Sequence, residues 1–192
     1  MSPALAVIDM QRVFGDADSP WRTPRFDEVV APVRALAEAY AQRAVFTRFI
    51  APARPTGAWQ AYYADWPFAL QPANAPAWDV VGELADVAAR VAGTDGHGGT
   101  LDATTFGKWG RQLADLVGDD NRLVVCGVST DCCVLSTVLA AVDAGVQVLV
   151  ASDACAGLDD ASHAKALDVI ALYAPLATVV TTEQALALVA AG

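Results

Sequence analysis

The stretch Arg122–Gly145, RLVVCGVSTDCCVLSTVLAAVDAG, decides how this chain folds. It opens on a short β-branched run, Leu123-Val124-Val125, tightens through Gly127-Val128-Ser129, and continues with helical spacing to Gly145. That order is strand, sharp turn, helix. Ser129, Thr130 and Asp131 are each good N-caps, so Cys132 and Cys133 fall in or beside the first helical turn whichever of them caps. A thiol there meets free backbone N–H groups and the positive end of the helix dipole, both of which favour thiolate. The same N–H groups can hold an oxyanion. Position alone also fits, and more often means, a pair of small buried hydrophobes.

Outward from this unit, strands and helices alternate. Ala4–Asp9 is a continuous apolar run ending in an acid, and Ala44–Phe49, Val146–Ala151 and Thr178–Thr181 are further short strands. Helical spacing falls at Phe26–Gln42, Val80–Val91, Trp109–Val117, Asp159–Tyr173 and Thr182–Ala190. Such alternation implies a parallel sheet covered on both faces, a single doubly wound α/β domain over residues 1–192. Residues 93–100, rich in glycine, lack phosphate-loop spacing and read as a turn. Pro52–Trp78 is long, proline-rich and aromatic, and rings such as Trp59 and Tyr63 are candidates to wall a pocket, pin the loop or meet another subunit.

Composition narrows the function. The net charge of −10 opposes binding to nucleic acid or an anionic membrane. No apolar run reaches the roughly 18 residues of a membrane span, and the N-terminus lacks the pattern of a secretion signal. We therefore expect a cytoplasmic protein. Its four cysteines lie on core elements rather than in a spaced disulfide framework, and its two histidines, His97 and His163, are far apart in sequence. We expect no metal and no cofactor.

The run Gly127-Val128-Ser129-Thr130-Asp131-Cys132-Cys133-Val134 resembles the G-V-x-T-D-x-C-V nucleophile segment of the isochorismatase-like cysteine hydrolases. Val7-Ile8-Asp9-Met10-Gln11, then Phe14, is similar to that family's opening V-x-D-M-Q-x-x-F. The resemblance implies a six-stranded parallel sheet in the order 3-2-1-4-5-6, with Asp9 and Cys133 meeting at the switch point between strands 1 and 4. It makes Cys133 the nucleophile, Asp9 its proton acceptor, and Cys132 the variable position. It also implies a non-proline cis peptide at Val128-Ser129, with the Ser129 and Cys133 N–H groups holding the oxyanion.

The family's third residue is a lysine. Only Lys108 and Lys165 exist here, and Lys108 alone lies in the right region, although the commonest family register falls near Asp102. We assign Lys108, flanked by Phe106 and Trp109. The D-x-H pair with which nicotinamidases hold a metal is absent after Arg48. Gln11, Phe14, Arg48, Trp59, Tyr63 and Trp109 are the expected substrate contacts, Arg48 as a partner for a carboxylate. The implied reaction is hydrolysis of a C–N bond in a small amide, lactam or carbamoyl compound through a thioester. Isochorismatase-type vinyl ether hydrolysis and a non-catalytic binding or redox-sensing role are the alternatives. The small-molecule substrate is the expected partner, with assembly to a homodimer or higher homo-oligomer.

Overall fold

In the computed structural model, which describes residues 2–91 and 100–190, the chain begins with β1 (Ala4–Ile8), every residue of it buried. A one-turn α1 (Arg12–Gly15) and a loop lead to α2 (Phe26–Ala39), whose inward face is Phe26, Val29, Val33, Leu36 and Ala37. Then come β2 (Ala44–Phe49), α3 (Trp59–Asp65), α4 (Gly82–Ala88), β3 (Thr100–Ala103) and α5 (Arg111–Val117). The second half runs β4 (Arg122–Val128), a π-helical turn (Thr130–Val134), α6 (Leu135–Asp143), β5 (Gln147–Ala156), α7 (Asp160–Ala171), β6 (Ala177–Val180) and α8 (Thr182–Ala190).

The six strands form one parallel sheet in the order β3-β2-β1-β4-β5-β6, the expected topology. Parallel strands need crossovers, and the reversal of strand order at β1 and β4 puts helices on both faces of the sheet. Thus α2 packs on β1, β4 and β5 and against α4 and α8, while α6 and α7 pack on β5 and against each other. No helix of the described residues is long and apolar enough to cross a membrane.

Five of the six strands lie where the apolar runs place them. The sixth, β3, falls in the segment that reads as the approach to Lys108: four residues, only Leu101 of them buried, are too short and too polar to show a pattern. Its glycine-rich approach, residues 93–99, lies outside the described residues. The loop of residues 52–78 holds more structure than its proline content suggests, since α3 carries Trp59, Tyr62 and Tyr63.

β1 and β4 approach closely at Gly127. Its φ is +107°, and a Cβ there would stand 2.1 Å from the Ile8 carbonyl oxygen, so any side chain would push β1 off β4. The glycine therefore brings the ends of β1 and β4 together, one leading into Asp9 and the other into the cysteine turn. The Val128-Ser129 peptide that follows is cis, as the resemblance implies.

Candidate active site

Asp9 leaves the end of β1 with φ +49°, a left-handed conformation that aspartate tolerates better than most residues. The turn is held by Thr47 of β2, whose hydroxyl accepts from the Asp9 N–H at 3.2 Å and donates to Oδ1 at 2.7 Å. The carboxylate is fully buried. Its other oxygen, Oδ2, receives no hydrogen bond and has Lys108 Nζ as ion-pair partner at 2.9 Å. Oδ1 is thus committed to the scaffold, whereas Oδ2 faces Lys108.

Lys108 comes from the irregular segment between β3 and α5. Its side chain is fully buried, its Nζ also donates to the Thr105 carbonyl at 2.8 Å, and it sits 5.1 Å from the centre of the Phe49 ring. An ammonium withdrawn from water needs such partners to stay charged. Thr137 of α6 couples it to the nucleophile turn, because its hydroxyl accepts from the Lys108 N–H (2.9 Å) and donates to the Cys133 carbonyl (2.7 Å). The position near Asp102 that the common register favours is used otherwise: Asp102 lies on β3 and takes two bonds from Arg48, at 2.8 and 2.6 Å.

Cys133 lies in the π-helical turn between β4 and α6, 4% exposed. The amides of Cys132 and Val134 both donate to the Ser129 carbonyl at 3.1 Å and fold the turn over it. The two thiols differ in charge preference. The hydrogen bond to Cys132, then burial and the Asp9 carboxylate, hold the Cys133 thiol well above the ordinary range, with Lys108 alone pulling it down among these neighbours. The same bond holds the half-buried Cys132 below that range. The bond between the two thiols, with burial beside a carboxylate, thus opposes the thiolate-favouring pull of the helix start at Cys133. Cys126 and Cys155 are buried, and burial pushes the Cys155 thiol up to about 12.

Cys133 opens onto a cavity of about 340 Å³ lined by the rings of Phe14, Trp21, Phe49, Tyr62, Trp66 and Phe106 and also by Arg22, Asp131, Cys132 and Leu158. A larger cavity, about 530 Å³, lies beside Arg25, Asp153 and His163, but it touches none of Asp9, Lys108 and Cys133. The smaller one carries Cys133 on its wall, with Asp9 and Lys108 behind that wall and not on it.

Of the expected substrate contacts, only Phe14 lines it. Gln11 is fully buried and structural: its amide donates to the Phe49 and Trp78 carbonyls (3.1 and 2.8 Å) and accepts from the Phe49 N–H (2.7 Å). Arg48 is committed to Asp102, with Asp79 at 4.0 Å. Tyr63 is 2% exposed and packs against Trp59 and Tyr62 behind the wall. Trp59 supports Phe49 and Phe106 from outside, and Trp109 packs against the core. The helical period explains the exchange on α3, since adjacent residues point about 100° apart and the chain presents Tyr62 instead of Tyr63. Trp21 sits in the polar, turn-forming loop between α1 and α2, where sequence pattern marks no site, yet its ring meets Phe14, Phe49, Tyr62, Trp66 and Phe68. Its size in that loop was the available signal.

Comparison with known proteins agrees with this architecture. A cysteine hydrolase from Pseudomonas syringae pv. phaseolicola 1448A superposes with a TM-score of 0.81 at 21% identity, covering 98% of this chain and 92% of that one. An isochorismatase family protein from Desulfovibrio vulgaris subsp. vulgaris str. Hildenborough gives 0.78 at 20% identity, with 98% of each chain covered. A pyrazinamidase/nicotinamidase from Streptococcus mutans UA159 gives 0.71 at 23% identity, covering 92% and 99%. At these identities the likeness is one of fold. No curated protein matches the chain in sequence. The model of the isochorismatase domain matches residues 3–184, which include all six strands and all the residues just described, and the chain belongs to the isochorismatase family.

Proposed function

We propose that the protein is a cysteine hydrolase that cleaves the C–N bond of a small amide, lactam or carbamoyl compound through a thioester. The observation that carries this reading is the buried Asp9–Lys108 pair, 2.9 Å apart and tied through Thr137 to the turn that holds Cys133. A carboxylate beside a thiol favours the protonated thiol, so a proton acceptor must act as the nucleophile attacks. Asp9 Oδ2 takes that proton. Lys108 offsets the negative charge that moves onto sulfur and keeps the carboxylate and thiolate from repelling each other.

Cys133 Sγ then attacks the substrate carbonyl. The turn's two bonds to the Ser129 carbonyl use the amides of Cys132 and Val134, and the amides of Ser129 and Cys133 serve the oxyanion. Asp9 returns the proton to the leaving nitrogen, and water, deprotonated by the same carboxylate, cleaves the thioester. Pairs and triads of this kind form on many folds, so the roles rest on geometry and charge here. The names of the structural relatives, a cysteine hydrolase and a pyrazinamidase/nicotinamidase among them, are in keeping with this chemistry.

The test is a panel of amides, lactams and carbamoyl compounds assayed for amine or ammonia release. We expect turnover by the native chain and none above background by Cys133→Ala. Equal turnover by both would overturn the reading.

A further inference from the structure

The cavity at Cys133 has a chemical bias that the hydrolytic scheme does not require. Six rings, Phe14, Trp21, Phe49, Tyr62, Trp66 and Phe106, line it, its exposed lining is mainly apolar, and its volume of about 340 Å³ falls in the range of sites that enclose drug-sized ligands. That is more room than a bare small carboxamide needs. Burial, then the neighbouring cysteine thiols, push the Tyr62 phenol well up, so its ring is neutral as it faces the nucleophile turn.

Among the described residues, the cations at or beside the cavity already have partners. Arg22 donates to the Gly15 carbonyl and to Asp27 at 2.9 Å. Arg48, the expected carboxylate partner, is paired with Asp102, and Lys108 with Asp9. The one carboxylate on the wall, Asp131, accepts from the Leu158 N–H through Oδ1 at 2.8 Å. A substrate carboxylate would lose its water in this cavity and meet rings and an aspartate in return, and removing a charge from water without a partner is costly.

Resting on the hydrolase reading above, we propose that the substrate is an uncharged amide bearing a ring-sized apolar group, held among Trp21, Tyr62 and Phe106, and that carboxylate-bearing amides are refused. The rings bind the apolar part by burial and by edge and face contacts. The carbonyl then lies at Cys133 because the polar end of the cavity is there.

The test uses probes that cannot be hydrolysed. The rate at which iodoacetamide alkylates Cys133 in the Cys132→Ser chain, followed by peptide mass, is measured with 4-tert-butylacetophenone and with its charged counterpart 4-acetylbenzoate. We expect the uncharged ketone to slow alkylation by at least about tenfold at saturation and the carboxylate to leave it unchanged. The matching amides, 4-tert-butylbenzamide and terephthalamate, should differ in the same sense in kcat/KM. Trp66→Arg, at a side chain 37% exposed on the cavity rim, should let 4-acetylbenzoate protect; Leu158→Lys, 64% exposed, repeats the trial should the first variant fold poorly. Protection by the carboxylate equal to or better than that by the uncharged ketone would overturn the proposal. Protection by the uncharged ketone with no amide turned over would uphold the cavity's preference and overturn the hydrolase reading instead.

Discussion

The polar groups behind Cys133 and the rings in front of it hold their side chains by different means. At the strand ends each polar atom has a named partner: Thr47 on Asp9, Asp9 on Lys108, Thr137 between Lys108 and Cys133. Across the cavity, rings rest on rings, with Phe49 and Phe106 stacked at 5.9 Å and Trp21 and Phe68 edge to face at 5.0 Å. Directional bonds fix a few atoms to fractions of an ångström, as proton transfer needs. Apolar contacts fix a volume and tolerate exchange of its parts. One side is built for a reaction, the other for a shape.

The difference can be broken at its strongest point first. Lys108→Met leaves the Asp9 carboxylate buried and unpaired, and such a loss costs about 3–5 kcal/mol of stability while removing the charge that balances the thiolate. We expect turnover to fall by two to four orders of magnitude, roughly the worth of positioned acid–base groups, and a lower urea midpoint. The paired variant Asp9→Asn/Lys108→Met should regain much of the stability and none of the activity. A single variant as stable as the native chain would mean that the pair is not isolated from water.

On the opposite wall, Trp21→Leu should cost far less activity than Lys108→Met, because an apolar residue still fills part of the space; the effect should appear as a raised KM. A fall in kcat as large as that of Lys108→Met would erase the contrast between the two walls. Gln11→Leu, behind both walls, should leave the Phe49 N–H and two carbonyls unpaired, at about 1–3 kcal/mol for each buried group, as read from the denaturation midpoint.

What could be read from the sequence follows the same division. The strand ends at Asp9 and before the cysteine turn were legible from neighbours in sequence, an apolar run ending in an acid and a glycine three residues before the turn begins, whereas the sheet order came from the resemblance. Lys108 was legible only by elimination, since β3 and the segment after it carry too little pattern to fix a register. The wall was mostly illegible. Gln11 and Arg48 looked like ligands for a substrate because their partners, the Phe49 backbone and Asp102, are 38 and 54 residues away. Tyr63 and Tyr62 are neighbours in sequence, and only the packing of α3 shows which one faces in.

Smaller effects sharpen the picture. Thr130, at the start of the nucleophile turn, meets His163 Nδ1 at 2.8 Å. Burial, then the charge of Arg25, lowers the His163 pKa, opposed by Asp160 and Asp131. The folded chain then binds fewer protons here than the unfolded one, so this contribution to stability is complete above about pH 6.5 and is lost as the pH falls below it. We expect His163→Gln to flatten the decline in urea midpoint between pH 7 and pH 5. An unchanged slope would assign that decline to other groups. Smallest of all, Arg48→Gln should leave turnover intact and cost less than about 1 kcal/mol, as for other pairs that water reaches.

The central claim is that Cys133, not its more acidic neighbour Cys132, forms the bond to substrate, with Asp9 and Lys108 as its acid–base partners. The most direct measurement is the mass of the acid-quenched enzyme after mixing the Cys132→Ser chain with an activated amide. We expect a thioester adduct on the peptide that carries Cys133, formed and consumed at the rate of turnover. No adduct and no turnover in a chain that keeps Cys133, Asp9 and Lys108 would contradict it.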